Sequence, residues 1–315
     1  MRRQPSALNA LLAVDKPLGL TSHDVVSRVR RAVGERRVGH AGTLDPDASG
    51  VLVVGIGQAT KLLGLLTLDR KGYRAMFALG SETTTDDAEG EVTRTAAVPD
   101  ELFDEAVARA AVSALVGEQD QVPPAYSAIS VGGKRAYALA RAGEAVELAA
   151  RRVTIYGAEL VSVDANARTW TVDLDVSKGT YVRSIARDLG RKLGCLAHVC
   201  GLCRTFSGPV GLGACVGLDE LAEGGADLVR KRCLDPVATL GLAARPLALT
   251  ELADVTNGRP IALGSVWAAD GVDRAPEPGE RVCLTFDGAL AGIWERRGAR
   301  LACQANFPQA IEGVC

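Results

Sequence analysis

The spacing of apolar positions changes several times along the chain, and each change marks an element. Residues 11–14 form a short apolar run that predicts a strand. After Thr21-Ser22-His23-Asp24 the pattern turns amphipathic over residues 25–33, with Arg28, Arg30 and Arg31 on the polar side. That is a helix with a Ser/Thr cap. Residues 39–49 are crowded with turn formers and predict a loop, and the unbroken apolar run 50–55 predicts a buried strand. Residues 73–79 and 152–163 read as strands. In residues 169–176, Trp170, Val172, Leu174 and Val176 alternate with Thr171, Asp173 and Asp175, as in a strand with one dry face. Residues 184–193 are helical in pattern. Strands and helices mix without a regular βαβ alternation, which predicts an α+β fold.

Two segments depart from this body. Residues 121–147 carry Pro123-Pro124, Gly132-Gly133 and a helical patch over 134–141, and read as an excursion from the sheet. After about Ala244 the pattern becomes short strands and turn glycines with no long helix, with Asn257-Gly258-Arg259-Pro260 as a turn and residues 282–286 and 292–294 as strands. A length of 315 residues exceeds what one core usually holds, so the expected division is a domain over 1–244 and a small β-rich domain over 245–315.

Composition adds limits. No apolar stretch reaches the 18 residues of a membrane span, and the start of the chain lacks a secretory pattern, so a cytoplasmic protein with eight free thiols is expected. Cys195, His198, Cys200 and Cys203 are close together, yet no second pair follows at zinc-site spacing, and no metal is expected. The net charge of -2 hides local imbalance: residues 1–40 hold eight Arg/Lys against three Asp/Glu, residues 176–206 hold six against one, and residues 82–91 hold five acids and no base. The basic stretches could track a phosphate backbone, or could be solvated helix faces.

Three motifs bear on chemistry. The run Arg37-Val38-Gly39-His40-Ala41-Gly42-Thr43-Leu44-Asp45-Pro46-Asp47-Ala48-Ser49-Gly50 sets a carboxylate, Asp45, on a glycine-bracketed loop that a large substrate can approach, with Pro46 restricting its backbone. Taken alone, the spacing favours an ordinary Asp-Pro turn with a solvated acid. Gly55-Ile56-Gly57-Gln58-Ala59-Thr60 after a strand imitates a dinucleotide loop, with Asp69 at a distance suited to a ribose, but Thr60 stands where the third glycine belongs. Residues 177–190 read as a strand end, a glycine turn and a helix start carrying Lys178, Tyr181 and Arg183.

Six segments in order, VDKPLGLTSHDVV (14–26), RVGHAGTLDPDASGVL (37–52), KGYRAMFALGSETTTDDAEG (71–90), PPAYSAISVGGKRAYALAR (123–141), SKGTYVRSIARDLG (177–190) and AHVCGLCRTFSG (197–208), resemble the TruB family of bacterial tRNA pseudouridine synthases. The resemblance covers roughly residues 9–240, with a weaker likeness to a PUA-type RNA-binding tail beyond. It implies a mixed-sheet pseudouridine synthase domain with a PUA-like domain after it. The activity implied is isomerisation of the T-loop uridine, position 55 of tRNA, without any cofactor. By the same resemblance Asp45 is the catalytic aspartate, Tyr73 stacks on the target base, and Arg183 pairs with the aspartate. His40 helps hold the disrupted T-loop, Tyr181 lies in the active site, and Leu202 lines the pocket. Lys16 and Pro17 support the site from beneath. Residues 121–147 would grip the T-arm, and Asp87 would contact base or ribose, or else be part of a solvated turn. Lys178, read from the residues alone, could meet phosphate or be a surface cation of a capped helix. The family usually shows two arginines after the leucine, and Cys203 here replaces the first. A monomer acting on tRNA, with no obligate protein partner and no membrane, is the expectation. An RNA-binding protein without catalysis and a dinucleotide-dependent enzyme are the rival classes.

Overall fold

The computed structural model describes residues 6–66, 70–127, 129–131, 133–142, 148–267 and 273–315. The chain opens with β1 (Ala10–Lys16), α1 (Ser22–Val33), β2 (Val38–His40), β3 (Ala48–Ile56), a 3-10 segment (Gly57–Leu62) and α2 (Leu63–Leu66). A middle stretch follows with β4 (Lys71–Leu79), the hairpin β5 (Ser81–Thr83) and β6 (Val92–Thr95), α3 (Glu105–Ser113) and β7 (Gly117–Gln121). It continues through β8 (Ser130–Val131), β9 (Lys134–Arg135), α4 (Ala136–Arg141), β10 (Arg151–Asp164), β11 (Thr169–Val176), α5 (Val182–Leu193) and β12 (Ala197–Ser207). The last stretch holds β13 (Val210–Gly211), α6 (Leu218–Arg232), α7 (Pro236–Leu240), β14 (Ala243–Pro246) and α8 (Leu252–Thr256). It ends on β15 (Ile261–Ala262), β16 (Val266–Trp267), β17 (Asp273–Arg274), β18 (Arg281–Phe286), β19 (Ala289–Arg297) and β20 (Arg300–Glu312). The mixture is α+β, as the pattern predicts.

These elements group into two compact units. One comprises residues 1–46, 50–68 and 207–315, the other residues 47–49 and 69–206. In the first, β1 and β2 both run antiparallel to β3, placing Lys16 opposite Gly50 and His40 opposite Val54. One face of the β1–β3 pair (Leu12, Val14, Leu52, Val54, Ile56) packs on Val25, Val26 and Val29 of α1 and on Leu221 and Val229 of α6. The other face (Leu11, Ala13, Val51, Val53) packs with Leu62 and Leu66 and with Cys283, Leu290, Ile293, Phe307 and Ile311 of the tail strands. Burial on both faces explains why residues 50–55 show no polar alternation. The tail sheet runs in the order β15-β20-β19-β18-β14-β16-β17 and has a second core around Val255, Val266, Val282, Leu284, Trp294 and Leu301. Its strands are longer than the pattern suggests, β20 spanning 13 residues.

The glycine pair after β3 does not form a Rossmann loop. Such a loop leads from a strand of a parallel sheet into a full helix, whereas Gly57 opens a 3-10 segment followed by a four-residue helix, and β3 pairs antiparallel with β1 and β2. Gly57 sits at φ +61° opening the 3-10 segment, and a Cβ there would meet Asn9 Oδ1 at 2.3 Å and Leu8 O at 2.4 Å. The glycine is required by a close backbone approach, and Asp69 lies outside the described residues.

In the second unit the strands run β12-β4-β11-β10-β7. The alternation of β11 is as read: Trp170, Val172, Leu174 and Val176 are buried, while Asp173 and Asp175 face out and pair with Arg74 and Arg70. Trp170 Nε1 donates to Leu102 O at 3.0 Å. The helical patch expected over 134–141 starts as two residues of the β8–β9 ribbon and becomes helix at Ala136. Residues 143–147 of the excursion lie outside the described residues.

Candidate active site

Asp45 stands half-buried in the loop between β2 and β3, and the residues on either side of it are fixed. Lys16, fully buried at the end of β1, donates through Nζ to the carbonyls of Pro17 (2.9 Å), Leu20 (2.5 Å) and Pro46 (3.1 Å). An ammonium out of water is tolerated when backbone oxygens replace its hydration. Gly19 N also donates to Pro46 O at 2.9 Å. On the other flank, Ser22 Oγ accepts from Leu44 N at 2.8 Å and donates to Leu44 O at 3.1 Å. Pro17 leads into the turn that ends at Leu20. Asp47, two positions on, is exposed, and His40 is half-buried at the end of β2.

The second unit is organised by α5. Arg183, Arg187 and Arg191 are spaced four residues apart, so they form one row on the helix. Each meets an acid of the run 82–91. Arg183 Nη1 donates to Asp87 Oδ2 (3.1 Å) and Thr85 O (3.0 Å), and its Nη2 donates to Tyr126 O (3.1 Å). Arg187 meets Asp86 at 2.8 Å and Val122 O at 2.8 Å, and Arg191 holds Glu82 at 2.5 and 3.1 Å. Three of the six cations in residues 176–206 are therefore engaged with protein acids. Asp87 is likewise no solvated turn residue: its side chain is 15% exposed and paired with Arg183.

Charge and burial shift these acids in opposite directions. Arg191 holds the Glu82 carboxyl below the ordinary glutamate range. Burial pushes the Asp86 carboxyl up, against the pull of Arg187. The depressed Glu82 stabilises the fold above its unfolded pKa and loses that contribution as pH falls through the folded one, while Asp86 acts with the opposite sign. Glu82→Gln is therefore expected to lower the melting temperature most near neutral pH. The gap to wild type should close below about pH 4. A gap that stays constant from pH 7 to 3 in thermal melts would contradict this.

The remaining candidates belong to the same unit. Tyr181 precedes α5, and the Gln121 side chain clamps its backbone, accepting from Tyr181 N at 2.8 Å and donating to Tyr181 O at 3.1 Å. The Arg151 guanidinium lies 6.0 Å from the Tyr181 ring centroid. Tyr73 is buried on β4 opposite Leu174, Leu202 is half-buried on β12, and Lys178 is exposed in the turn before α5. His198 Nδ1 lies 3.1 Å from Ser81 O, and among the described residues no three His, Cys, Asp or Glu are grouped to hold a metal ion. Sequence reading passed over Ser22, Gln121, Arg187 and Asp86. The arginine row was visible in principle, since its four-residue spacing faces an acidic run of matching charge.

Solved structures place this architecture in a class. A chain of a Cbf5-Nop10-Gar1 complex aligns over 97% of this chain and 85% of its own at TM-score 0.67 and 22% identity. A chain of an H/ACA RNP bound to a substrate RNA containing 2'-deoxyuridine aligns over 97% and 88% at TM-score 0.67 and 21% identity. At such identities the likeness is one of fold. Sequence carries it further. Residues 30–182 match the TruB family pseudouridylate synthase N-terminal domain, and residues 183–240 the tRNA pseudouridylate synthase B C-terminal domain. A tRNA pseudouridine synthase B of Nocardia farcinica (strain IFM 10152) is 46% identical over 95% of this chain and 93% of its own length. That of Mycobacterium sp. (strain KMS) is 48% identical over 88% and 92%. This chain belongs to the TruB family of pseudouridylate synthases, and it is an isomerase.

Proposed function

We propose that the protein converts the T-loop uridine of tRNA to pseudouridine, with Asp45 as the catalytic carboxylate and no cofactor. Family membership supports the reaction, the relatives named above support tRNA as substrate, and one feature of the fold supports Asp45: its neighbours Leu44 and Pro46 are each held by buried side chains. A nucleophile or charge stabiliser needs such a fixed backbone.

The reaction is an isomerisation. The bond from uracil N1 to the sugar breaks, the base turns, and C5 bonds to the sugar. C5 gives up its proton to solvent and N1 gains one, so no oxidant or reductant enters. Asp45 holds the detached fragment covalently or stabilises charge as the bond breaks. Tyr73 offers a flat face to the extruded base, a contact worth about 1–3 kcal/mol. Leu202 and Tyr181 line the pocket, His40 holds the opened loop, and Lys178 meets phosphate. Arg183 serves the carboxylate chemistry, and Asp87 orients it through the 3.1 Å ion pair. In the same reading, residues 1–244 carry the chemistry with 121–147 gripping the T-arm, residues 245–315 act as a PUA-like RNA-binding part, and the protein works as a cytoplasmic monomer.

Substrate size tests the assignment to the T-loop. A folded loop with splayed bases carries the features RNA-specific proteins read best. An isolated T stem-loop should be modified almost as well as full-length tRNA, in monovalent salt with EDTA. Full-length tRNA modified beside an inert stem-loop would overturn T-arm recognition.

A further inference from the structure

The loop carrying Asp45 is tied to the turn between β1 and α1 at two points. The family resemblance gives a role to one of them, Lys16. We propose that Ser22 is the other positioning residue: it fixes the backbone just before Asp45, as Lys16 fixes the backbone just after it. The proposal rests on Asp45 being the catalytic carboxylate.

Ser22 is the first residue of α1, directly after the position where a hydroxyl commonly caps a helix. That task is already done. Thr21 is the cap: its Oγ1 accepts from Asp24 N at 3.1 Å, while Asp24 Oδ2 accepts from Thr21 N at 2.9 Å. The Ser22 hydroxyl turns instead to residue 44 and engages both its backbone groups, at 2.8 Å to the N–H and 3.1 Å to the carbonyl. In geometry this imitates one rung of a β ladder, made by a side chain across 22 residues of sequence. Ser22 and Leu44 are 2% and 4% exposed, so water cannot substitute for either bond. The peptide joining Leu44 to Asp45 sets the direction of the aspartate side chain. With residue 46 held by Lys16 and Gly19, fixing residue 44 leaves the carboxylate little freedom to swing. A displacement near 1 Å at a reacting group costs on the order of 100-fold in rate.

The test compares Ser22→Ala and Ser22→Thr with wild type, on T stem-loop RNA tritiated at uridine C5. Turnover is scored per folded molecule at a temperature set from melting curves, together with KM and hydrogen exchange at the Leu44 amide. Ser22→Ala should speed Leu44 exchange while α1 stays protected. Its turnover should fall about 10- to 100-fold, with KM within about threefold of wild type. Ser22→Thr keeps the oxygen and should be at least about tenfold more active than the alanine variant. Should Ser22→Ala not fold, Ser22→Cys, which keeps the volume and weakens both bonds, takes its place. Turnover within threefold of wild type in a folded alanine (or cysteine) variant would overturn the proposal. So would a threonine variant whose Leu44 amide is protected but whose turnover is no better than the alanine's. Asp45→Asn is run alongside. If it is active, the assignment of the carboxylate fails. If it is inactive while Ser22→Ala is unaffected, only the role of Ser22 fails.

Discussion

Asp45→Asn is expected to lower turnover by at least about four orders of magnitude, the scale on which removal of a catalytic nucleophile is felt. The substitution keeps size and shape and removes the charge and most of the nucleophilicity. The loop should not move, because its anchors, Lys16 to Pro46 O and Ser22 to Leu44, involve backbone groups and not the carboxylate. RNA affinity should stay within a few-fold, since contacts to phosphates and the stacked base are spread over a wide surface. Asp47→Asn is the internal control. Asp47 lies on the same loop, two positions away and exposed, and its variant should retain most activity. Single-turnover rates of the two variants decide the point: equal behaviour, or a tenth of wild-type turnover in Asp45→Asn, would reduce the motif to an Asp-Pro turn.

A chain ended at Ala244 is expected to lose its cooperative fold, not merely RNA affinity. The pattern change near that residue suggests a detachable tail, but Leu290, Ile293, Phe307 and Ile311 share one core with Leu11, Val51, Val53, Leu62 and Leu66. Each of those four tail side chains is worth about 1.5–3 kcal/mol when buried, roughly 6–12 kcal/mol together, against a total stability of about 5–15 kcal/mol for a typical domain. Polar ties go with them: Glu312 N to Asn9 O at 2.8 Å, Gln58 Nε2 to Gln309 Oε1 at 3.0 Å and Lys61 Nζ to Asn306 O at 2.9 Å. The truncated protein should aggregate or melt without a sharp transition in near-ultraviolet circular dichroism. A cooperative melt within a few degrees of wild type would show that the tail and the β1–β3 face are energetically separate.

Local elements were the most legible part of this chain. The two-residue alternation of β11 appears where the pattern puts it, and α1 has its Thr cap within Thr21–Asp24 although the helix starts at Ser22, three residues before the amphipathic run, because period and cap chemistry are local properties. What escaped was set by partners distant in sequence. The acidic run 82–91 has no visible purpose until α5, about 100 residues later, sets Arg183, Arg187 and Arg191 against Asp87, Asp86 and Glu82. The length of β20 was hidden because it buries only Leu301, Phe307 and Ile311 among small and polar residues and slips register against β19, so no two-residue alternation marks it. At Gly225 (φ 52°, ψ -138°) the backbone leaves helical geometry, so α6 is two helical pieces joined at a kink. Of the candidate site, the residues alone gave a glycine-bracketed Asp-Pro loop, and only the family resemblance singled out its carboxylate. Its anchoring could not be read, because the bonds of Ser22 to residue 44 and Lys16 to residue 46 cross 22 and 30 positions.

By the function proposed above, this chain alone isomerises one uridine in the T-loop of tRNA. The most direct test is tritium release from tRNA labelled at uridine C5, using purified protein in EDTA without added cofactor, followed by mapping of the product within the RNA. Close to one tritium should be released per tRNA, with a single pseudouridine at the T-loop uridine. No release, release that depends on an added nucleotide or metal, or pseudouridine at another position would contradict the proposed function.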